Sequence, residues 1–173
     1  EGYGGKIKLI GSDTHRPYNR PPLSKDFLAG ETELEAIFVE PEQWYVENDV
    51  ELLTGETVAT LDPTAHRVRL ESGTSLDYDA VLLATGSASR HLKIPGADLD
   101  GVHLLRTLDD SESLGRALAG GGHRLAVVGS GWIGMEVAAT ARALAPPPDV
   151  APGMAEKLFT RGLPSRFRRR RAS

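Results

Sequence analysis

A chain of 173 residues, 40% apolar and 25% charged, has the balance of a water-soluble globular protein and the length for one ordinary domain or parts of two. No stretch approaches the roughly 18 uninterrupted apolar residues of a membrane span, and the opening EGYGGKIKLIG lacks the basic start and apolar core of a secretory signal, so a cytoplasmic protein without a membrane partner is expected. Cysteine is absent, which excludes a disulfide framework, a thiolate metal site and a redox-active dithiol within this stretch; electrons, if they move, need a cofactor. The formal charge of -4 is uneven: Pro146 to Ser173 holds seven Lys/Arg against two Asp/Glu, and the remainder holds 13 against 22. An acidic body leaves no nucleic-acid footprint outside the terminal RFRRRRAS.

The first residue is not methionine and a strand-like segment begins almost at once, so an upstream portion is expected before Glu1. Lys6 to Ile10 alternates polar and apolar residues and ends at Gly11, the pattern of a short strand. The loop SDTHRPYNRPP follows, where Pro17, Pro21 and Pro22 are expected to hold the backbone extended until Ser24 caps a short helix around Lys25 to Ala29, closed by Gly30. Pro41, flanked by Glu40 and Glu42, opens a second helix across QWYVEND. From Val50 the pieces VELLTG, ETVATLD, HRVRLES and SLDYDAVLLATG read as a small β-meander feeding back into a strand. Within the last piece, Ala80 to Ala84 is apolar enough for a parallel strand buried on both faces. Thr107 caps a helix with Asp109 and Asp110 in its first turn, running to the stop at Gly120, Gly121 and Gly122.

Next come an apolar strand, Arg124 to Val128, the turn GSGWIG and the helix MEVAATARAL. In this strand–turn–helix context Gly129 permits the tight turn, Gly131 lets the backbone approach a pyrophosphate and Gly134 lets helix and strand pack closely. Glu136 lies in the first turn of that helix, where the dipole favours a carboxylate in any case. A full nucleotide unit needs a second strand ending about 20 residues on. That region is proline-rich, and Asp149 and Glu156 stay unassigned. Histidines 15, 66, 91, 103 and 123 have no metal-ligand spacing and no nucleophile partner, so no metal site is expected.

Three stretches in order, HRPYNRPPLSKDFLAG, then YDAVLLATGS with HLLRTLDD, then VVGSGWIGMEVAATARAL, together resemble the FAD-dependent pyridine nucleotide reductases that donate electrons to ferredoxins, putidaredoxin and rubredoxin. The resemblance covers about Gly4 to Leu144 and implies an α/β fold. Residues 1–122 would be a partial FAD-binding Rossmann-like domain, without its first strand and glycine turn and with the β-meander as an insertion. Residues 123–145 would start an NAD(P)-binding Rossmann domain, and 146–173 would be an atypical, disordered basic tail. It implies FAD and NAD(P)H as cofactors and an iron–sulfur protein such as ferredoxin as partner.

Carried over residue by residue, Lys25 is similar to the lysine beside the isoalloxazine, and Glu136 to the glutamate that reaches the nicotinamide side near that lysine. Arg20 and Arg106 are similar to FAD-contacting arginines. Ala84, Thr85 and Gly86 belong to the return strand beside the flavin, and Ile133 to the nucleotide turn. Val58 matches a position whose backbone contacts the adenine, or is an ordinary strand valine. Asp13 stands where the family has an acidic ribose ligand, or is a turn aspartate. The chemistry is coherent, since a cation beside the flavin stabilises its anionic reduced ring and arginine forks match pyrophosphate oxygens. With Pro21, Pro22 and Leu23 in the place of the relatives' dithiol, the flavin must hand over electrons directly. The expectation is a piece of a ferredoxin reductase-type enzyme, inactive alone, with a tail that reads like out-of-frame translation. The alternative is a non-enzymatic truncated product whose basic tail gives only generic electrostatic binding.

Overall fold

The computed structural model describes residues 4–119 and 124–144. Strand β1 (Ile7–Gly11) pairs in parallel with β2 (Val50–Thr54), from Ile7 opposite Val50 to Gly11 opposite Thr54. Parallel neighbours need a long crossover, and here it carries the proline-rich arm and two short helices, α1 (Leu34–Ile37) and α2 (Glu42–Glu47). A Lys8–Glu51 ion pair sits on this register. VELLTG is therefore not the first strand of the meander: it lies against the sequence-distant IKLIG. The meander itself has three antiparallel strands, β3 (Val58–Asp62), β4 (Arg67–Leu70) and β5 (Ser75–Asp77), with Val68 and Leu70 buried. Arg67 clasps Asp77 across it, Nε to Oδ1 at 2.6 Å and the fork to Oδ2 at 3.2 Å.

The arm departs from the extended, serine-capped expectation. Pro21–Ser24 is a 3-10 turn, continued by Phe27 N–H to Pro22 O and Ala29 N–H to Lys25 O, and it ends at Gly30 with φ +73°. Prolines lack an N–H that a first turn would leave unpaired anyway, so they start a helical turn rather than forbid it. Ser24 is buried and caps nothing; its hydroxyl is used elsewhere.

Helix α3 (Leu108–Leu118) begins as expected, with a reciprocal cap between Thr107 and Asp110. Leu108, fully buried, meets Leu23 and Ile37 in one cluster, and Leu28, Leu114 and Val137 form a second. Ser111 ties α3 to the arm by donating to Leu23 O at 2.7 Å. Val137 belongs to α4 (Trp132–Leu144), so the arm lies between the two long helices.

Two expected strands are not formed. Ala80–Ala84 and Arg124–Val128 have no ladder partner among the described residues, and Leu82 (88%) and Val128 (78%) are mostly exposed. An interior parallel strand exists only through hydrogen bonds to neighbours on both edges, and the β1–β2 pair extends to neither segment. The helix stop at Gly120–Gly122, His123, Asp149, Glu156 and the tail lie outside the described residues. No helix among the described residues is long and apolar enough to cross a membrane.

Tyr18 fastens the loop before the arm. Its hydroxyl donates to Asp13 Oδ2 at 2.6 Å and accepts from the Leu108 N–H at 3.0 Å, one of the unpaired donors at the start of α3. Burial, then the bond to Asp13, pushes the phenol up from 10.0 to about 12. An unfolded tyrosine loses its proton at lower pH than the folded one, so above pH 10 the unfolded chain holds fewer protons and stability falls. The urea midpoint is expected to carry this contribution in full below about pH 10 and to lose it as pH rises through about 12. Tyr18→Phe is expected to be about 1–3 kcal/mol less stable at neutral pH and to lack that part of the alkaline decline, as read from denaturation curves across pH.

Candidate functional site

The glycine turn has the geometry of its sequence. Gly129 adopts φ +111°, a region that side-chain-bearing residues avoid. A Cβ on Gly134 would collide with Gly129 O and lie 3.2 Å from Val127 Cγ1, so only glycine lets the helix start against the incoming segment. A Cβ on Gly131 would meet nothing within 4 Å, which leaves open space beside the backbone where α4 begins. The two later glycines thus have opposite surroundings, one filled by protein and one open to an approaching ligand. Ile133, in the first turn, is half-exposed.

Arm and glycine turn meet at one carboxylate. Lys25 Nζ lies 3.1 Å from Glu136 Oε1, and the Ser24 hydroxyl donates to Oε2 at 2.5 Å. Thr140, one turn further along α4, donates its hydroxyl to Ser24 O at 3.0 Å. The Ser24 hydroxyl first, and the Lys25 ammonium second, hold the Glu136 carboxyl below the usual glutamate range, so it is a carboxylate at neutral pH. Sequence reasoning named Lys25 and Glu136 but missed Ser24 and Thr140. The available signal was the spacing of Glu136 and Thr140 by four residues, which puts both on one helical face.

A second junction joins ATGS to HLLRT. Arg106 donates Nε–H to Ser87 O at 2.9 Å, and its terminal guanidinium nitrogen would stand 3.4 Å from a Cβ on Gly86, whose φ is +65°. Asp110 accepts from the backbone of Arg106 at 2.8 Å, so the cap of α3 also fixes this arginine's backbone. Ala84 and Thr85 lie beside it in the exposed segment.

The other candidates stand apart from these junctions. Arg20 is exposed and forms no ion pair among the described residues. Val58 is half-exposed in β3, opposite Leu70 at an irregular register. Asp13 closes a turn, its Oδ1 accepting the His15 N–H at 3.1 Å and its Oδ2 the Tyr18 hydroxyl, while His15 Nε2 lies 2.8 Å from Asp109. Sequence reasoning missed Tyr18, whose partly buried phenol gave no signal inside the proline-rich string. Among the described residues no group of three or more metal-ligating side chains occurs.

A parallel β-pair, a capped helix and a glycine turn opening a second helix define an α/β nucleotide-binding class of chain. Within that class, the chain belongs to the pyridine nucleotide-disulphide oxidoreductase family, whose model matches residues 1–166. It is 44% identical over 138 residues to a probable ferredoxin reductase of Castellaniella defragrans, covering 80% of this chain and 34% of that protein. To the rhodocoxin reductase of Rhodococcus erythropolis it is 43% identical over 141 residues, covering 82% and 33%. Among solved structures, the covalent putidaredoxin reductase–putidaredoxin complex matches with a TM-score of 0.77 at 37% identity, covering 83% of this chain and 35% of that one. A ferredoxin reductase from Rhodopseudomonas palustris matches with a TM-score of 0.78 at 35% identity, covering 92% and 42%. The chain spans about a third of the length of the curated relatives it matches.

The two glycines separate packing from ligand approach in a measurable way. Gly134→Ala is expected to destabilise the chain by about 1–3 kcal/mol, because the added methyl meets backbone. Gly131→Ala, facing open space, is expected to stay within about 0.5 kcal/mol of the parent in urea denaturation.

Proposed function

We propose that this chain is part of an FAD-dependent NAD(P)H oxidoreductase of the ferredoxin reductase type. The observation that carries the reading is the meeting of the PPLSK arm with the helix of the glycine turn through Lys25 and Glu136. Two segments with separate nucleotide-binding chemistry in the sequence are joined by one ion pair, which supports a site where two nucleotides come close enough to exchange electrons. FAD, when bound, takes a hydride from NAD(P)H and releases electrons singly to an iron–sulfur protein such as a ferredoxin. The residues present fit these groups: the open backbone at Gly131 admits a pyrophosphate, and the strained positions at Gly86 and Gly129 accept no larger residue without cost.

In this reading Lys25 lies beside the flavin ring as a cation, and Glu136 orients it and faces the nicotinamide. Arg20 and Arg106 pair with FAD oxygens, Arg106 with the donors not used by Ser87. Ala84, Thr85 and Gly86 line the flavin, and the Val58 backbone meets the adenine. Asp13 accepts the ribose hydroxyls on the lone pairs that Tyr18 and the His15 N–H leave free. Gly129, Gly131, Ile133 and Gly134 hold the NAD(P)H pyrophosphate. Residues 1–122 serve the FAD side and 123–145 begin the NAD(P)H side, with 146–173 outside both. A cytoplasmic setting follows from the need for a pool of reduced nicotinamide nucleotide.

The test is titration of FAD into the purified 173-residue chain, followed by quenching of flavin fluorescence. Saturable uptake is expected, weakened about tenfold or more by Arg106→Ala, the loss expected for a charge-assisted bond of about 1.5–3 kcal/mol. A chain that stays colourless and takes up no FAD overturns the proposal in favour of a non-enzymatic product.

A further inference from the structure

Ser24 and Lys25 are consecutive in the arm, yet their side chains take different oxygens of one carboxylate. Ser24 is buried, whereas the Lys25 side chain is about half exposed (45%) and that of Glu136 a quarter exposed (25%). A carboxylate with both oxygens open can take an ammonium between them, on two of its three N–H groups. Here the Ser24 hydroxyl donates to Oε2 and the Lys25 ammonium stands against Oε1, a one-oxygen contact that engages fewer of its three donors than bridging both oxygens would. The hydroxyl is itself fixed from both sides. Thr140 donates to the Ser24 carbonyl, and Leu28 packs with Val137 one residue beyond the carboxylate.

We propose that Ser24 is a positioning residue: its buried hydroxyl fixes one oxygen of Glu136, so that Lys25 is held by the other oxygen alone and keeps its remaining donors for the flavin side. The proposal rests on the reading of Lys25 and Glu136 as the flavin-facing pair, and it concerns a residue that only acts through them. Among the described residues, Lys25 is the only charged group within ion-pair distance of Glu136, and the Ser24 hydroxyl, ahead of that ammonium, is the main influence on the carboxylate's state.

The test needs no cofactor. The 173-residue chain, with its glutamate side-chain carboxyls labelled with carbon-13, is titrated by NMR as wild type, Ser24→Ala and Ser24→Thr, the Glu136 signal being identified by its loss in Glu136→Gln. The expected result is an upward shift of the Glu136 midpoint towards ordinary glutamate in the alanine variant, and a midpoint close to wild type in the threonine variant, which restores the donor. Ser24→Cys fills the same volume with a much weaker donor and is expected to shift the same way as alanine, so it decides the matter should the alanine variant not fold. An unchanged midpoint in Ser24→Ala or Ser24→Cys, or a shift in Ser24→Thr as large as that in the donor-poor variants, overturns the proposal. Failure of FAD uptake would sink the functional reading and leave this titration intact, so the two failures are distinguishable.

Discussion

The Glu136 carboxylate is the point on which the arrangement turns. A carboxylate withdrawn from much of its water is unfavourable unless donors replace that water, and here both oxygens are supplied from adjacent residues of the arm. Apolar packing of Val137 against Leu28 and Leu114 brings the helix and the arm together without fixing their register. The directional bonds to Ser24 and Lys25, with the return bond from Thr140, select one register from the many that apolar contact permits. Adhesion and alignment therefore come from different residues one position apart.

Stiffness in the arm is what lets so few bonds define a position. Pro17, Pro21 and Pro22 restrict the unfolded arm as well as the folded one, so less conformational entropy is lost when it docks. It is then held at several points: Tyr18 on the first amide of α3, Leu23 O under Ser111, and Ser24 with Lys25 on α4. Each anchor also satisfies a polar group that docking would otherwise bury, including a free N–H at the start of a helix. Packing and hydrogen-bond satisfaction thus favour the same placement of the Lys25 ammonium.

How much of this could be read in advance depended on whether the cause was local. The glycine turn, the Thr107 cap, the stop at Gly30 and the last three strands of the expected meander are dictated by residues within a few positions of one another, and their patterns were legible, although VELLTG does not belong to that meander. The β1–β2 pairing joins segments some forty residues apart, and nothing in VELLTG marks IKLIG as its neighbour. Ala80–Ala84 and Arg124–Val128 fail for the converse reason: apolar, β-branched composition makes a strand possible, but only neighbours with free edges make it real. In the site, Lys25 and Glu136 were reached through resemblance to a family. Ser24 and Thr140 act through single hydroxyls whose targets exist only once the arm has folded.

The contrast between Gly131 and Gly134 bears on what the turn is for. If the turn served only to pack a helix, a close approach such as that at Gly134 would suffice, and nothing would require a bare backbone at Gly131. Just before α4, Gly131 forgoes the capping oxygen that Ser, Asp or Asn would supply, and the protein makes no contact of its own in the space beside it. A local concession of that kind, at the opening of a helix whose far side grips the arm through Glu136, is what a ligand arriving at the helix start would offset. At Gly86 it is the positive φ that favours glycine, and the Arg106 guanidinium stands beside it at ordinary contact distance. Both permissive points thus lie next to groups able to meet an anion, the free amides at the start of α4 in one case and an arginine fork in the other.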